Sequence, residues 1–511
     1  MKKRTVSTIL TLAILLSALV SCSEKSSESE NGADQSNDQP STTVQPEEEP
    51  ATEEPVEEER IKPDIPESGD FGGDDIKFLF WRVNGWESTV RDCRDIYAAE
   101  LTGEAINDTV YNRNLKVEDA YNVKISLEIQ PVGDLSNTVL QEVTSGGTTY
   151  DVVYPRLYEA PSLYQKGYFQ NLLKVPNIDF TKPWWDQNSI DAVQCMGYLP
   201  CVATSINVND KDATAAMAFN KGIVVDNGLV DIYELVRNGE WTFDKLSELS
   251  EAVYRDTNGD GTMTPDDDLF GFLGADDVMW SFFAGSGSLF TTRDENGAFI
   301  FSYGSERDID VTTATIKLMN QPWFMNHHKI SNTDDIYYRQ LFETGHGLFF
   351  WMRLDEVTNM RAGEADFGII PTPKYDEAQE KYYSMVSQHT TGLLSIPITV
   401  SGEALDEIGL ILEALAAESH YTLIPEYIET SLKTKNSRDA ESADMLDIII
   451  SNRVFDPMNI YNFSSFTGSY AGLANSSNAD VASFIARQTK TVTKMHEKTT
   501  EALAKAAAGA Q

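Results

Sequence analysis

The segment from Asp256 to Asp267 has the residue types and the spacing that could bind calcium. Oxygen-bearing side chains occupy its first, third and fifth positions, glycine follows at the sixth, and an acid closes it at the twelfth. Calcium binds about six to eight oxygens, and this spacing wraps them around one centre. The predicted metal ligands are Asp256, Asn258, Asp260, Thr262 through its carbonyl, Thr264 and Asp267.

One feature of this loop departs from the usual pattern. Hand-type calcium loops normally close on glutamate, whereas Asp267 stands at that position. Dockerin modules also use aspartate there, but they need two such loops and the sequence contains one. The alternative is a solvated acidic turn without metal. We predict a structural Ca²⁺ that fixes a loop, and no catalytic cofactor.

The tryptophans suggest carbohydrate binding. Sugars stack their apolar C–H faces on flat rings, while their hydroxyl groups form hydrogen bonds with charged and amide side chains at the rim. Most tryptophans pack in cores, so we select those at predicted strand ends or at crossings between domains, with nearby polar partners. The predicted ligand-binding residues are Trp81, Asn84, Trp86, Arg156, Trp185, Asp186, Trp280, Trp351, Arg353 and Gln388. Further candidates are Trp184, Trp323 and Glu87, whereas Trp241 is assigned to the core.

Nothing in the sequence singles out a catalytic site. The six histidines show no metalloprotease spacing, and neither a G-x-S-x-G elbow nor a phosphate-binding loop occurs. A glycosidase pair could exist among the many carboxylates, but no pair stands out. We therefore predict a binding protein and no catalytic residue. Two alternatives stay open: a surface enzyme that degrades glycans, and an adhesin or scaffold, which the single dockerin-like loop suggests.

The N-terminus predicts export and lipid anchoring. Basic residues at positions 2 to 4 precede an apolar run from Ile9 to Val20, which is short of the ~20 residues needed to span a bilayer. The run ends in LVSC, which matches a bacterial lipobox, so lipidation of Cys22 is predicted after removal of a signal peptide over residues 1–21. An ordinary signal peptide is the alternative. The expected location is the extracellular face of the cell membrane.

An acidic tether is predicted over residues 22–70, ahead of a large folded part. The tether is rich in Ser, Glu, Pro, Thr and Gln and has too few apolar residues to form a core, so we expect it to be disordered. The roughly 440 residues that follow suffice for two domains. The net charge of −40 argues against nucleic acid and anionic lipid surfaces, because phosphate binding needs clustered Lys and Arg.

Three cysteines remain after Cys22. Cys93, Cys195 and Cys201 are an odd number and too few for a disulfide framework. Cys195 and Cys201 flank a predicted turn at Met196-Gly197, so they could be bridged or could simply be small apolar residues of a strand pair.

Strands and helices alternate after the tether. Strands are predicted at Ile76–Trp81, Val123–Ile129, Tyr150–Tyr154, Ala215–Asn220, Gly347–Met352, Phe367–Ile370 and Gly392–Ile396. Helices are predicted at Asp95–Ala120, Leu135–Thr144, Glu159–Lys166, from Thr242 as N-cap to Tyr254, and over most of the chain after Glu403. This order favours a parallel sheet with helices on its faces, whose ligands bind beyond the carboxyl ends of the strands. Trp81 and Tyr154 lie at two such ends.

Short segments spread along the chain carry a family resemblance. They are Glu100–Glu104 with Ile106–Asp108 and Asn112–Asn114, Tyr150–Val153, Gly167–Leu172, Pro183–Asp186, Gly197–Pro200, Ala218–Lys221 with Asn227–Leu229, Trp241–Asp244 and Phe367–Lys374. In their order and spacing from Ile76 to Lys505, they resemble the extracellular solute-binding proteins of the family that includes maltose-binding protein. Specifically, the chain resembles the sugar-binding lipoproteins of ABC importers, although it is over a hundred residues longer than the best-known periplasmic members.

The resemblance implies an α/β, two-lobed periplasmic-binding-protein-like (type II) fold with a hinge and an interlobe cleft. It places lobe 1 at 71–211 and 333–396, and lobe 2 at 212–332 and 397–511. It also implies that the protein captures a carbohydrate, an oligosaccharide, in the cleft and delivers it to the permease subunits of an ABC transporter. The expected protein is a monomer held to the membrane by its lipid anchor.

Overall fold

A computed structural model describes residues 60–82, 95–330, 335–360, 363, 365–432, 440–461 and 463–509. The predictions for the signal peptide, Cys22, Asn84, Trp86, Glu87 and Cys93, and those for most of the tether, fall outside these residues. Among the described helices, none combines the length and the apolar character needed to cross a bilayer.

The described part contains short strands between many helices. The strands are β1 Asp74–Arg82, β2 Val123–Pro131, β3 Val152–Val153, β4 Ala215–Asn220, β5 Phe270–Gly274, β6 Thr291–Arg293, β7 Phe299–Phe301, β8 Phe324–Asn326, β9 Gly347–Arg353, β10 Phe367–Ile370, β11 Ser384–Met385 and β12 Arg453–Val454. The first helices are α1 Ala105–Tyr121, α2 Asp134–Ser145, α3 Pro161–Gln165, α4 Gln187–Val193, α5 Asn209–Asp212, α6 Lys221–Asp226, α7 Ile232–Arg237, α8 Phe243–Val253 and α9 Val278–Gly285. They are followed by α10 Glu306–Met319, α11 Asp335–Glu343, α12 Asp355–Met360, α13 Glu403–Tyr421, α14 Leu423–Tyr427, α15 Ala440–Ser451, α16 Pro457–Tyr461, α17 Phe466–Ala471 and α18 Val481–Gly509. Single 3₁₀ or π turns lie at Leu172–Lys174, His327–Lys329, Ile428–Leu432, Phe463–Ser465 and Gly472–Asn475.

The first sheet has the strand order β2-β1-β3, with both pairs parallel. Apolar residues fill β1, whose Phe78, Leu79 and Phe80 are buried, because helices cover both faces of a parallel sheet. Antiparallel bridges from Val153 to Ser395 and from Val202 to Leu394 extend this sheet. The segment 392–397 therefore joins the first sheet through isolated bridges, although it does not form the continuous strand that we predicted at Gly392–Ile396.

The second sheet has the strand order β10-β4-β9-β5-β8. β4 pairs antiparallel with both β10 and β9, whereas β5 pairs parallel with β9 and β8.

The predicted strands at Ala215–Asn220 and Phe367–Ile370 are confirmed to the residue. Thr242 is confirmed as the N-cap of α8, since its side chain accepts the backbone N–H of Lys245. The predicted helix at Asp95–Ala120 begins only at Ala105, after Glu104 as its N-cap.

The two sheets do not follow the predicted division of the chain, which stays a prediction. From the segment 333–396, which was assigned to lobe 1, β9 and β10 pair within the second sheet. From the segment 397–511, which was assigned to lobe 2, α13 packs on α1, a helix that contacts β2 of the first sheet. Hydrophobic periodicity identifies a strand without identifying the sheet it joins.

The two described cysteines are unbridged. Cys195 and Cys201 are both buried and free. Burial raises the pKa of the Cys195 thiol to about 11 and that of Cys201 to about 12, so both stay protonated at neutral pH. Of the two interpretations left open by the sequence, the packing role is confirmed.

Candidate ligand-binding site

Two predicted ligand-binding residues meet at the carboxyl end of the first sheet. Trp81 lies near the end of β1 with its ring only 1% exposed, and the guanidinium of Arg156 sits 5.6 Å from the ring centroid, within cation–π range. The buried ring therefore contributes to the site by supporting Arg156. The Nη1 of Arg156 is also 3.2 Å from Glu159 Oε1. Gly392 packs against them, and a side chain there would place its Cβ 2.7 Å from both Trp81 Nε1 and the Tyr154 carbonyl oxygen. Glycine is thus required for this close approach.

His389 lies at the centre of the site. Arg156 Nε donates a 2.6 Å hydrogen bond to the carbonyl of His389, and the predicted residue Gln388 brings its Nε2 within 3.3 Å of His389 Nε2. The exposed ring of Tyr158 contacts the imidazole at a centroid distance of 4.7 Å. The segment that holds His389 leads the chain from the second sheet, after β10, back to the first sheet at Gly392.

Trp280 extends the site from the second sheet. It lies in α9, which follows β5, and its half-buried ring stacks on the His389 imidazole at 5.9 Å with an interplanar angle of 28°. Its indole N–H donates a 2.8 Å hydrogen bond to the carbonyl of Thr467. Trp280 is therefore held in one orientation by groups far apart in sequence, as a preformed binding platform requires.

The end of β9 adds a charged group. Arg353 pairs with Asp355, with 3.3 Å between Nε and Oδ1, and its charge also acts on His389. Burial raises the pKa of Asp355, an effect that Arg353 opposes. Trp351, two residues before Arg353, is only 5% exposed and its indole N–H finds no hydrogen-bond acceptor among the described residues. The predicted residues Trp81, Arg156, Trp280, Arg353 and Gln388 thus gather around His389.

The electrostatics keep His389 neutral. Burial, together with the positive charges of Arg156 and Arg353, lowers the pKa of His389 from 6.5 to about 4. The imidazole ring contacts Tyr158 and Trp280, and in its neutral form it can both donate and accept a hydrogen bond.

This depressed pKa predicts a pH dependence of stability. The unfolded chain takes up a proton at His389 near pH 6.5 and the folded chain only near pH 4, so this contribution is present above pH 6.5 and lost as the pH falls towards 4. Between pH 7 and 4.5, we expect the native protein to lose roughly 2 kcal/mol more unfolding free energy than His389→Gln. Urea titrations of both proteins at the two pH values measure the difference, and equal losses would contradict the assignment.

Trp185 and Asp186 lie apart from this cluster. The indole N–H groups of Trp184 and Trp185 both donate to Glu413, at 3.1 and 2.8 Å, and both rings are 1% exposed. Asp186 caps α4 by accepting the backbone N–H of Ser189 and pairs with Arg453. These contacts build the core, so we leave both residues out of the candidate site, and Trp323 is likewise buried. Trp241 is buried as predicted, with its N–H on the Pro371 carbonyl.

Sequence reasoning missed two members of the site. Tyr158 lies beyond the end of β3, two residues after Arg156. An aromatic residue at this place could have been predicted to bind ligand, because ligands of parallel sheets bind beyond the strand ends. His389 adjoins the predicted residue Gln388, but nothing in its local sequence indicates that it meets Arg156 and Trp280, which are 233 and 109 residues away.

The polar side chains of the acidic loop, Asp256 to Asp267, accept hydrogen bonds from the backbone of the same loop. The Asp256 carboxylate accepts the N–H groups of Gly259 and Gly261, at 2.6 and 2.8 Å, and Gly261 has the positive φ of 81° that the sharp turn needs. Asn258 accepts from the backbone of Asp260, which in turn accepts from that of Thr262.

Asp268, the neighbour of the predicted ligand Asp267, holds the two ends of the loop together through hydrogen bonds. Asp268 is 1% exposed and accepts the N–H groups of Thr257 and Thr264, whereas Asp267 accepts the Thr264 hydroxyl at 3.2 Å. Over the described ranges, no three His, Cys, Asp or Glu side chains are gathered in a way that could hold a metal ion. Calcium at this loop stays a prediction.

The calcium prediction has a direct thermal test. If calcium binds the folded loop, free metal at ~100 times its dissociation constant stabilises the protein by about 2.7 kcal/mol, and Tm rises accordingly. We expect calcium, compared with EDTA, to raise the Tm of the native protein and of Asp447→Asn, an exposed control on α15, but not that of Asp256→Asn. An unchanged native Tm in millimolar calcium would leave the loop as a metal-free turn.

Comparisons with known proteins agree with the fold. No protein-family model and no curated protein matches the sequence. Among solved structures, UspC of M. tuberculosis is similar with a TM-score of 0.52 and 12% identity, over 82% of this chain and 100% of that chain. A cyclo/maltodextrin-binding protein complexed with maltotetraose gives 0.51 and 14%, over 84% and 97%. An ABC transporter solute-binding protein from Agrobacterium radiobacter in complex with ribitol gives 0.51 and 12%, over 84% and 100%. The chain therefore has the α/β, two-lobed fold of periplasmic binding proteins, as predicted.

Proposed function

We propose that this protein captures a carbohydrate, specifically an oligosaccharide, at the cluster around His389 and releases it unchanged to the permease of an ABC transporter. The observation that carries the proposal is the meeting of Trp81, Arg156, His389 and Trp280 where segments of the two sheets come together. Flat rings that alternate with charged and amide groups suit the apolar faces and hydroxyl groups of a sugar.

The fold supports this choice of ligand class. The similar structures with the same fold include proteins bound to maltotetraose, to ribitol and, in Listeria monocytogenes, to cycloalternan. All three of these ligands are polyhydroxylated molecules. The proposal also states that the chain is a monomer and not an enzyme, because capture and release leave the covalent bonds of the ligand unchanged.

The location is part of the proposal. A lipid on Cys22 and the acidic segment 22–70 would hold the folded part near the outer face of the membrane, within reach of a permease. Metabolic labelling with a fatty-acid analogue tests the anchor, since Cys22→Ser should abolish incorporation of the label and release the protein from the membrane fraction. Label retained in the Cys22→Ser protein would contradict the lipidation site.

A ligand panel tests capture against catalysis. We expect isothermal titration with neutral oligosaccharides of different linkage to find at least one with micromolar or tighter affinity, and chromatography to recover it intact after prolonged incubation. Shortened products would favour the alternative, a surface glycan-degrading enzyme. Absence of binding across maltose-, cellulose-, xylan- and galactan-derived oligosaccharides would contradict carbohydrate capture.

A further inference from the structure

We propose that the protein has a second binding site, for an acidic saccharide, in a cavity that shares no residue with the His389 cluster. The cavity has a volume of about 600 Å³ and lies between α4, the segment around β6, the strand pair β11–β12 and the start of α16. A volume of this size accommodates a small saccharide. The lining residues used below are Asn188, Arg293, Lys381, Tyr383, Asn452 and Arg453.

The charge of this cavity is opposite to that of the protein. The chain has 80 acidic and 40 basic residues, so most positions lie in a negative field and cations readily find acidic partners. Arg293 and Lys381 nevertheless have no acidic group within ion-pair distance in the part of the chain that the structure describes. Asp191 is the one acidic lining residue, against three basic ones, Arg293, Lys381 and Arg453. Arg453 is paired with carboxylates, whereas Arg293 and Lys381 form no ion pair in the described part of the chain, and cations without an ion-pair partner at a cavity favour an anionic ligand.

Arg453 gives the cavity a fixed, deeply buried cation. Its side chain is 4% exposed, and its Nη2 pairs with Asp186 and, at 3.3 Å, with Asp210. Its Nε and Nη1 groups have no hydrogen-bond acceptor within the described ranges, and neither does Nε of the half-buried Arg293. Buried donors without acceptors are costly and rare. A ligand carboxylate that entered between the two arginines would supply the missing acceptors.

The neutral lining indicates that the anion belongs to a sugar. Tyr383 lies close to Gly287, where an added Cβ would come within 3.0 Å of the tyrosine ring, so the glycine leaves room for the ring beside the cavity. Such a ring can stack on a pyranose face. Asn188 and Asn452 also line the cavity, and although each amide nitrogen donates one hydrogen bond to a backbone carbonyl, the second hydrogen and the oxygen of each amide can serve hydroxyl groups. The tyrosine, the two amides and the basic side chains of the cavity together fit a uronic acid, a sugar that carries a carboxylate.

Titration with galacturonate and galactose tests the second site. We expect the native protein to bind galacturonate and not galactose, because the two differ at the carboxylate. Arg293→Gln combined with Lys381→Gln should weaken galacturonate binding by about tenfold or more, since hydrogen bonds to charged groups contribute strongly. Lys494→Gln removes an equally exposed lysine of α18, outside the cavity, and should change nothing.

Two further measurements separate this site from the first. In Trp280→Ala, galacturonate binding should persist; its loss there would place the sugar acid at the His389 cluster and overturn the second site. The double variant should still bind any neutral oligosaccharide identified with the native protein, so failure of one site does not imply failure of the other. If Arg293→Gln prevents folding, Lys381→Gln alone, at an exposed position, provides the test, since it should also weaken galacturonate binding. Equal binding of galactose, tighter binding of inorganic phosphate, or no galacturonate binding at millimolar concentration would each contradict the proposal.

Discussion

Replacing Arg453 with methionine is expected to lower the free energy of unfolding by about 3–5 kcal/mol, the usual consequence of removing one partner from a buried ion pair. Arg453 pairs with Asp186 and Asp210, whose side chains are 12% and 1% exposed. Burial lowers the pKa of Arg453, but the two carboxylates outweigh burial and raise it. Without the guanidinium, Asp210 would keep its ion pair with Lys211, at 3.2 Å, and Asp186 would lose its ion pair and keep the longer-range attraction of Lys211.

The effect of Arg453 should be local to its buried network. Arg237 pairs with Glu234, Glu441 and Asp444, but it lies at the surface, where such pairs contribute only ~0–1 kcal/mol. Arg237→Met is therefore the matched control, with an expected loss below about 1 kcal/mol. Urea denaturation at pH 7 measures both variants. Similar losses for the two would show that the buried network is no more important than a surface ion pair.

Local sequence patterns predicted about half of the described strands, while β5 to β8, β11 and β12 were missed. Apolar alternation located β1, and the strand character of short segments located β4 and β10. Thr242 was recognised because a hydroxyl side chain at the start of a helix satisfies one of its first free amides. These features depend on neighbours a few residues away. Sheet membership does not: the β9 strand resembles any buried strand, and only its pairing with β4 and β5 assigns it to the second sheet.

The same limit applies to the predicted site residues, some of which gather at the candidate site while others lie elsewhere. Trp81 and Arg156 lie at strand ends, where the topology of a parallel sheet places ligands, and their contact follows from that rule. Trp185 lies in an equally aromatic segment, yet its indole N–H is taken by Glu413, 228 residues away on α13. No local pattern distinguishes a tryptophan that binds a buried carboxylate from one that faces a ligand.

Replacing Trp280 with alanine is expected to weaken binding of the captured oligosaccharide by at least about tenfold. Truncation of a large aromatic side chain at the centre of a binding site commonly costs about 2 kcal/mol or more, and the loss includes the stacking face offered to the sugar. Trp280 is also the aromatic group of the site that the second sheet contributes through α9. Its removal should therefore change the dissociation rate more than the association rate, because the ligand would then be held from one side only.

Two variants distinguish this role from a general loss of structure. Trp280→Phe keeps an aromatic face but loses the N–H donated to Thr467, so it should retain most of the affinity. Trp185→Ala removes a fully buried ring and should lower Tm strongly while leaving the affinity of the folded fraction unchanged, because Trp185 belongs to the Glu413 core. Isothermal titration and thermal unfolding of the three variants separate affinity from stability. If Trp280→Ala binds like the native protein while Trp185→Ala loses the ligand, the binding site lies at Trp185 and our assignment of the His389 cluster is wrong.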